Sequence, residues 1–173
     1  NLSGDIVRTY PTSMILDKLA ENFGFKCYET PVGFKWVSNK MKETDALLGG
    51  ESSGGFTMRN YTPTKDSFFS IAVLLDAITT INKPISEIVN EVKEYCGYIS
   101  TYVEGSTMVN DKKKFLKIIK KKSPSFSYKP TSVIREDGVK YIFEGDNWVM
   151  IRFSGTENLL RYYVEFQTEI ECE

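Results

Sequence analysis

Histidine is absent from the 173 residues, which removes the commonest general base and the commonest metal ligand together. A Ser-His-Asp triad, a Cys-His dyad and most zinc sites are excluded. Cysteine is scarce. Cys27, Cys96 and Cys172 are widely spaced, odd in number and free of a Cys-x-x-Cys pattern, so neither a disulfide scaffold nor a structural zinc is expected, and a reducing, cytoplasmic location fits. No run approaches the ~20 apolar residues of a membrane-spanning helix. Excess charge is missing too: 22 basic against 23 acidic side chains give a formal net charge of −1, so no global attraction to nucleic acid or a membrane surface follows. The start, Asn1-Leu2-Ser3-Gly4, has neither an initiator methionine nor a signal peptide, as expected of the middle of a longer protein. Any chemistry must come from carboxylate, lysine, hydroxyl or backbone groups.

What is present is enough for a core. At 41% hydrophobic and 13% aromatic residues, the chain suits one large domain or two small ones. The first half alternates strand-like and helix-like segments: a strand at Asp5–Tyr10, then a helix over 14–23 capped by Thr12 or Ser13 and stopped by Gly24. A strand at 25–29, a helix at 33–41, a strand at 45–49 and a long apolar helix over Lys65–Thr80 with Thr64 as cap follow. A further helix spans Ile85–Tyr95. From there the pattern changes. A strand at Tyr98–Glu104 precedes an amphipathic helix, Asp111–Lys122, with Phe115, Ile118 and Ile119 inward. Strands at 132–136, 139–144, 147–153 and 159–166 come next, and Asp137-Gly138 signals a type I′ hairpin. The fold class is therefore α/β. Residues 1–95 form a first domain with a helix-layered mixed sheet, and residues 96–173 a second, α+β domain with an antiparallel sheet.

Three segments bear chemistry. The turn Arg152-Phe153-Ser154-Gly155-Thr156-Glu157, with Arg161 beyond it, offers guanidinium, hydroxyl and backbone donors suited to an oxyanion, although the same residues also make an ordinary hairpin loop. Gly49-Gly50-Glu51-Ser52-Ser53-Gly54-Gly55 places four glycines in seven positions around a carboxylate and two hydroxyls. That set suits a polyhydroxylated ligand, or a flexible connector. It is neither a Walker A nor a dinucleotide fingerprint. Lysines 112, 113, 114, 117, 120, 121 and 122 crowd one helix. They read as a solvated face rather than a nucleic-acid or phospholipid surface, because no aromatic platform is interleaved with them.

Together these segments resemble the α-D-phosphohexomutases, the family of phosphoglucomutase and phosphomannomutase. The 152–157 turn is similar to that family's phosphate-binding loop, Arg-x-Ser-Gly-Thr-Glu, and Arg161 to its second arginine. Gly50-Glu51-Ser52-Ser53-Gly54 resembles its sugar loop, Gly-Glu-x-Ser-Gly. Thr30-Pro31-Val32-Gly33-Phe34-Lys35 resembles a third segment, Lys65-Asp66 the start of the following helix, and Arg8-Thr9 the first strand. The resemblance covers only the third and fourth of the family's four domains. It implies the C-terminal half of an isomerase that interconverts hexose 1-phosphate and hexose 6-phosphate through a phosphoserine and a sugar bisphosphate. The missing N-terminal domains of the same chain would hold the phosphoserine and an aspartate-rich magnesium loop.

The resemblance assigns the phosphate to Arg152, Ser154, Gly155, Thr156 and Arg161, and the sugar to Glu51, Ser53, Gly33, Lys35 and Arg59. Lys65 lends positive charge near the reacting phosphate. No catalytic residue proper and no metal ligand is expected in these residues. Mg2+ and a glucose 1,6-bisphosphate-type activator belong to the full-length enzyme, and the chain alone is expected to be inactive and to bind neither. The sugar loop ends in Gly54-Gly55 where many phosphomannomutase and phosphoglucosamine mutase relatives have Gly-His, which points towards glucose phosphates.

Overall fold

The computed structural model describes residues 3–121, 124–155 and 157–172, without the side chains of residues 120 and 121. Asn1, Leu2, Lys122 and the expected phosphate ligand Thr156 therefore lie outside the described residues. The chain divides into two compact units, Asn1–Ile99 and Ser100–Glu173.

In the first unit the elements run β1 (Ile6–Thr9), α1 (Ile15–Asn22), β2 (Cys27–Thr30), α2 (Phe34–Thr44), β3 (Leu48–Gly50), β4 (Phe56–Met58), α3 (Ser67–Ile81) and α4 (Ile85–Cys96). The sheet order is β2-β1-β3-β4. β1 is parallel to β2 and β3, and β4 closes the edge antiparallel to β3, a strand the sequence pattern had not revealed. Val7 packs with Val37, Met41 and Ala46 of the α2 region. Its register partner Gly49 has no side chain for a reason: a Cβ there would collide with Met41 and Val37. Asp45 ends α2 in the left-handed region, so the following strand starts three residues later than expected.

The other face of β1 carries Arg8, of which only 1% is exposed. Its Nε donates to Asp17 of α1, and its Nη1 pairs with Glu29 of β2 at 2.7 Å. Burial opposes the charge, yet the hydrogen bond to Asp17 and the charges of Glu29 and Asp17 outweigh it and hold the Arg8 pKa above its ordinary value. This cluster ties α1, β1 and β2 together. Burial, reinforced by Asp17, also pushes the Cys27 thiol up to about 12, so it stays protonated at neutral pH.

Two expected caps move. Asp66, not Thr64, caps α3, its carboxylate accepting from the Phe68 and Phe69 N–H groups. α1 begins at Ile15 after Met14, with Ser13 Oγ accepting from the Ile15 N–H while Thr12 pairs with Thr9. α3 is apolar around most of its circumference, yet none of its residues is buried and Phe68 is 88% exposed. Among the described residues no single helix is long and apolar enough to cross a membrane. α3 and α4 pass such a test only as a pair bent by 83°.

The second unit comprises β5 (Thr101–Met108), α5 (Lys112–Lys121), β6 (Ser132–Ile134), β7 (Val139–Ile142), a 3-10 turn (Glu144–Asp146), β8 (Trp148–Phe153), β9 (Leu159–Phe166) and α6 (Glu169–Cys172). Its sheet is antiparallel throughout, in the order β5-β9-β8-β7-β6. One face, with Tyr141, Val149, Ile151, Phe153 and Val164, packs with Ile119 and Phe115 of α5. Ile118, expected inward, is instead 49% exposed, because the helix needs only a narrow stripe here. The other face holds Trp148, whose indole N–H donates to Glu165 Oε2 at 2.7 Å, while the Ser100 hydroxyl donates to Oε1 at 2.8 Å. The 137–138 hairpin is not type I′. That turn needs two central residues with positive φ, and here Gly138 alone has it, at 82°.

Candidate functional site

In the first unit the candidate site lies at the carboxyl ends of the parallel strands, where α/β sheets commonly bind ligands. Glu51 follows β3 directly. Its backbone closes the loop, the Glu51 N–H donating to Gly55 O at 2.8 Å and the Gly54 N–H to Glu51 O at 3.0 Å. Gly54 has a φ of 83°, a left-handed conformation that a side chain would resist. The Glu51 side chain is only 8% exposed and takes donors on both oxygens: the Gly33 N–H at 3.2 Å and the Lys65 ammonium at 3.2 Å. Three sequence-distant segments thus meet on one carboxylate. A Cβ on Gly55 would come within 2.8 Å of the Lys65 side chain, which would have to shift.

Ser53 lies exposed on the same turn. Lys35 is exposed at the start of α2, its ammonium 4.8 Å from the Trp36 ring centroid. Arg59 is not brought to this cluster. Its backbone pairs with Leu47, at the far end of β3, and its guanidinium donates to the Asp45 carbonyl, the Asp45 carboxylate and the Ser3 carbonyl. These contacts tie Arg59 to Asp45 and Ser3. Arg8 is likewise spent on internal partners.

In the second unit Arg152 of β8 and Arg161 of β9 are direct cross-strand partners. Two like charges facing each other destabilise a strand pair unless something negative stands between or beside them. Carboxylates attend both. Arg152 Nε donates to Asp137 Oδ1 at 3.3 Å in a mostly buried pair, and Arg161 Nη2 to Glu157 Oε2 at 3.2 Å in an exposed one. The hydrogen bond to Glu157 holds the Arg161 guanidinium above its usual pKa.

Between the arginines runs the turn. Ser154 is buried, its N–H donating to Leu159 O at 2.9 Å and its hydroxyl accepting the Glu157 N–H at 3.2 Å. Gly155 is exposed with open space around its Cα. The arrangement sets two arginines on neighbouring strands beside a tight turn. Asp137, Glu157 and Lys112, which donates to the Ser154 carbonyl at 2.9 Å, are contributors that the sequence reading did not assign. Their partners lie on other strands or helices, so only the Arg-x-Ser-Gly-Thr-Glu run gave a signal, and that for Glu157 alone. Among the described residues no group of three or more His, Cys, Asp or Glu side chains is arranged to hold a metal ion.

The model of the phosphoglucomutase/phosphomannomutase α/β/α domain III matches residues 1–95, and that of the same family's C-terminal domain matches residues 102–172. The chain belongs to the phosphoglucomutase/phosphomannomutase family. A Thermococcus kodakarensis phosphoglucomutase/phosphomannomutase is 30% identical to this chain over 170 residues, covering 98% of the chain and 35% of that protein. A Methanococcus maripaludis phosphoglucosamine mutase is 32% identical, covering 92% of the chain and 34% of that protein. The crystal structure of a Thermus thermophilus protein assigned as a phosphomannomutase superposes with a TM-score of 0.76 at 29% identity, over 98% of this chain and 34% of that one. The chain thus spans about a third of the length of these relatives. A mixed four-stranded sheet and an antiparallel five-stranded sheet are the phosphohexomutase architecture expected from the motifs.

Proposed function

We propose that the protein containing this chain interconverts hexose 1-phosphate and hexose 6-phosphate, and that these residues supply its grip on the sugar and on the phosphate that is not reacting. The observation that carries this is the Arg152–Arg161 cross-strand pair flanking the Ser154 turn. A dianionic phosphate at these guanidiniums accepts charge-assisted hydrogen bonds of roughly 1.5–3 kcal/mol each, in competition with Asp137 and Glu157. Ser154, Gly155 and Thr156 complete that site. Glu51, held by Gly33 and Lys65, accepts from adjacent sugar hydroxyls, with Ser53 and Lys35 beside it. Lys65 also contributes positive charge near the reacting group.

The phosphoryl group moves between a phosphoserine and the sugar, each a donor and an acceptor in turn through a sugar bisphosphate. The serine and the Mg2+ reside in domains outside these residues. Binding one phosphate in place while the other end of the sugar reacts is positional catalysis. It works equally in both orientations because the anion site recognises phosphate rather than a particular carbon. A glucose 1,6-bisphosphate-type activator would bind in the same way. The chain by itself turns nothing over, and the whole enzyme works in the cytoplasm, in keeping with three free thiols.

Glucose phosphates are the preferred substrates, since Gly55 stands where a histidine would discriminate. A phosphoglucosamine mutase is the second reading, supported by the relatives of that name from Methanococcus and Bacillus. Rates of the whole protein on glucose 1-phosphate, mannose 1-phosphate and glucosamine 1-phosphate test both. The highest kcat/KM on glucose 1-phosphate is expected. A clear preference for glucosamine 1-phosphate would favour the second reading, and no mutase activity on any of the three would refute both.

A further inference from the structure

We infer that Lys112 is a positioning residue of the anion site, and this rests on the reading of Arg152 and Arg161 as phosphate ligands. Among the described lysine side chains of the lysine-rich helix it stands apart. Lys112 is half-buried, whereas Lys113, Lys114 and Lys117 are exposed. Its ammonium donates to the Ser154 carbonyl at 2.9 Å and lies 5.5 Å from the Phe153 ring centroid.

Phe153 and Arg152 are consecutive on β8 and so point to opposite faces of the sheet. Lys112, set against the Phe153 ring, therefore reaches Ser154 from the face opposite the Arg152 side chain. What it does is fix a peptide. Ser154 is held by its N–H on Leu159 O and by its hydroxyl on the Glu157 N–H. Lys112 donates to the backbone carbonyl, neutralising an oxygen that would otherwise repel a phosphate held at the turn. The turn then keeps its donors on the anion side without reorganising when phosphate binds, and preorganisation of this kind converts directly into affinity. The first lysine of a run that reads as solvated surface thus belongs to the substrate site.

The test is titration of glucose 1-phosphate into the chain by calorimetry, with wild type, Lys112→Met, Lys112→Arg, Lys113→Met and Arg152→Ala. Methionine keeps the apolar stem against Phe153 and removes the donor. Lys112→Met should weaken binding about tenfold, the scale of one charge-assisted hydrogen bond, Lys112→Arg should restore it, and Lys113→Met should bind as wild type does. Wild-type affinity in Lys112→Met, with binding lost in Arg152→Ala, overturns the role of Lys112 and leaves the anion site standing. Weakening without recovery in Lys112→Arg, or equal weakening in Lys113→Met, assigns the effect to packing or bulk charge and also overturns it. Unchanged binding in Arg152→Ala shows that the anion site itself is misplaced.

Discussion

Replacing Arg8 with methionine removes a buried cation while keeping most of its volume. Arg8 is 1% exposed, and its two carboxylate partners, Asp17 and Glu29, keep about a quarter of their side-chain surface in contact with solvent. Removing one member of a fully buried ion pair costs about 3–5 kcal/mol, because the remaining charge is stranded. Here two carboxylates would be left facing the same void, but their partial exposure lets water relieve them, which places the loss near the bottom of that range, at about 3 kcal/mol. Domains commonly have only about 5–15 kcal/mol of stability in total, so the first unit should lose a large share. The assay is urea unfolding followed by tryptophan fluorescence. Trp36 reports on α2 of the first unit and buried Trp148 on the second, so a Trp148→Phe background isolates the unit carrying Arg8. A triple variant, Arg8→Met with Asp17→Asn and Glu29→Gln, should recover most of the loss. A shift below about 0.5 kcal/mol for Arg8→Met, the scale of an ordinary surface substitution, would refute the view that the cluster ties α1, β1 and β2.

Glu51→Gln keeps the size of the side chain but ends its charge opposite Lys65 and Gly33; glucose 1-phosphate affinity should fall about tenfold with little change in Tm, and unchanged affinity would remove Glu51 from the site. Gly138→Ala must adopt a φ of 82° and set its Cβ 2.6 Å from that of Arg152; a loss of about 2–3 kcal/mol is expected in urea unfolding, accompanied by weaker phosphate binding. The Asp66 carboxyl is held below its ordinary 3.8 by the Phe69 N–H and the Tyr61 hydroxyl. A depressed carboxyl pKa contributes stability above the unfolded value and loses it as pH falls through the folded one. Asp66→Ala should therefore lower Tm at pH 7, and the difference from wild type should vanish well below pH 4; a constant difference down to pH 2 would show that the cap is not the cause.

Much of this architecture was legible because local chemistry and global fold agree. The alternation of β1, α1, β2, α2 and β3 followed from hydrophobic spacing, and the motifs named the loop after β3 in one unit and the turn between β8 and β9 in the other. What stayed hidden depends on residues far apart in sequence. β4 is three residues long and gains its identity only from pairing with β3. Thr64 and Asp66 are both competent caps, and the Tyr61 hydroxyl on Asp66 Oδ2 favours the second. Arg59 sits in a sequence window next to the sugar loop, yet the antiparallel return of β4 carries it to the opposite end of the sheet. Asp137 and Gly138 read as turn residues, and only the register of β7 against β8 sets them beside Arg152. Lys112 was hidden by its neighbours, since a run of lysines gives no sign of which one faces inward.

If Arg152 and Arg161 form a phosphate site around the Ser154 turn, the amides of that turn must respond to a bound phosphate. The most direct measurement is an NMR titration of the chain with glucose 1-phosphate, read amide by amide in wild type and Arg152→Ala. Saturable shifts should appear at Arg152, Ser154, Gly155 and Arg161 and disappear in the variant. Shifts confined to the lysine-rich helix, or unchanged by the loss of Arg152, would show that phosphate does not bind at this turn.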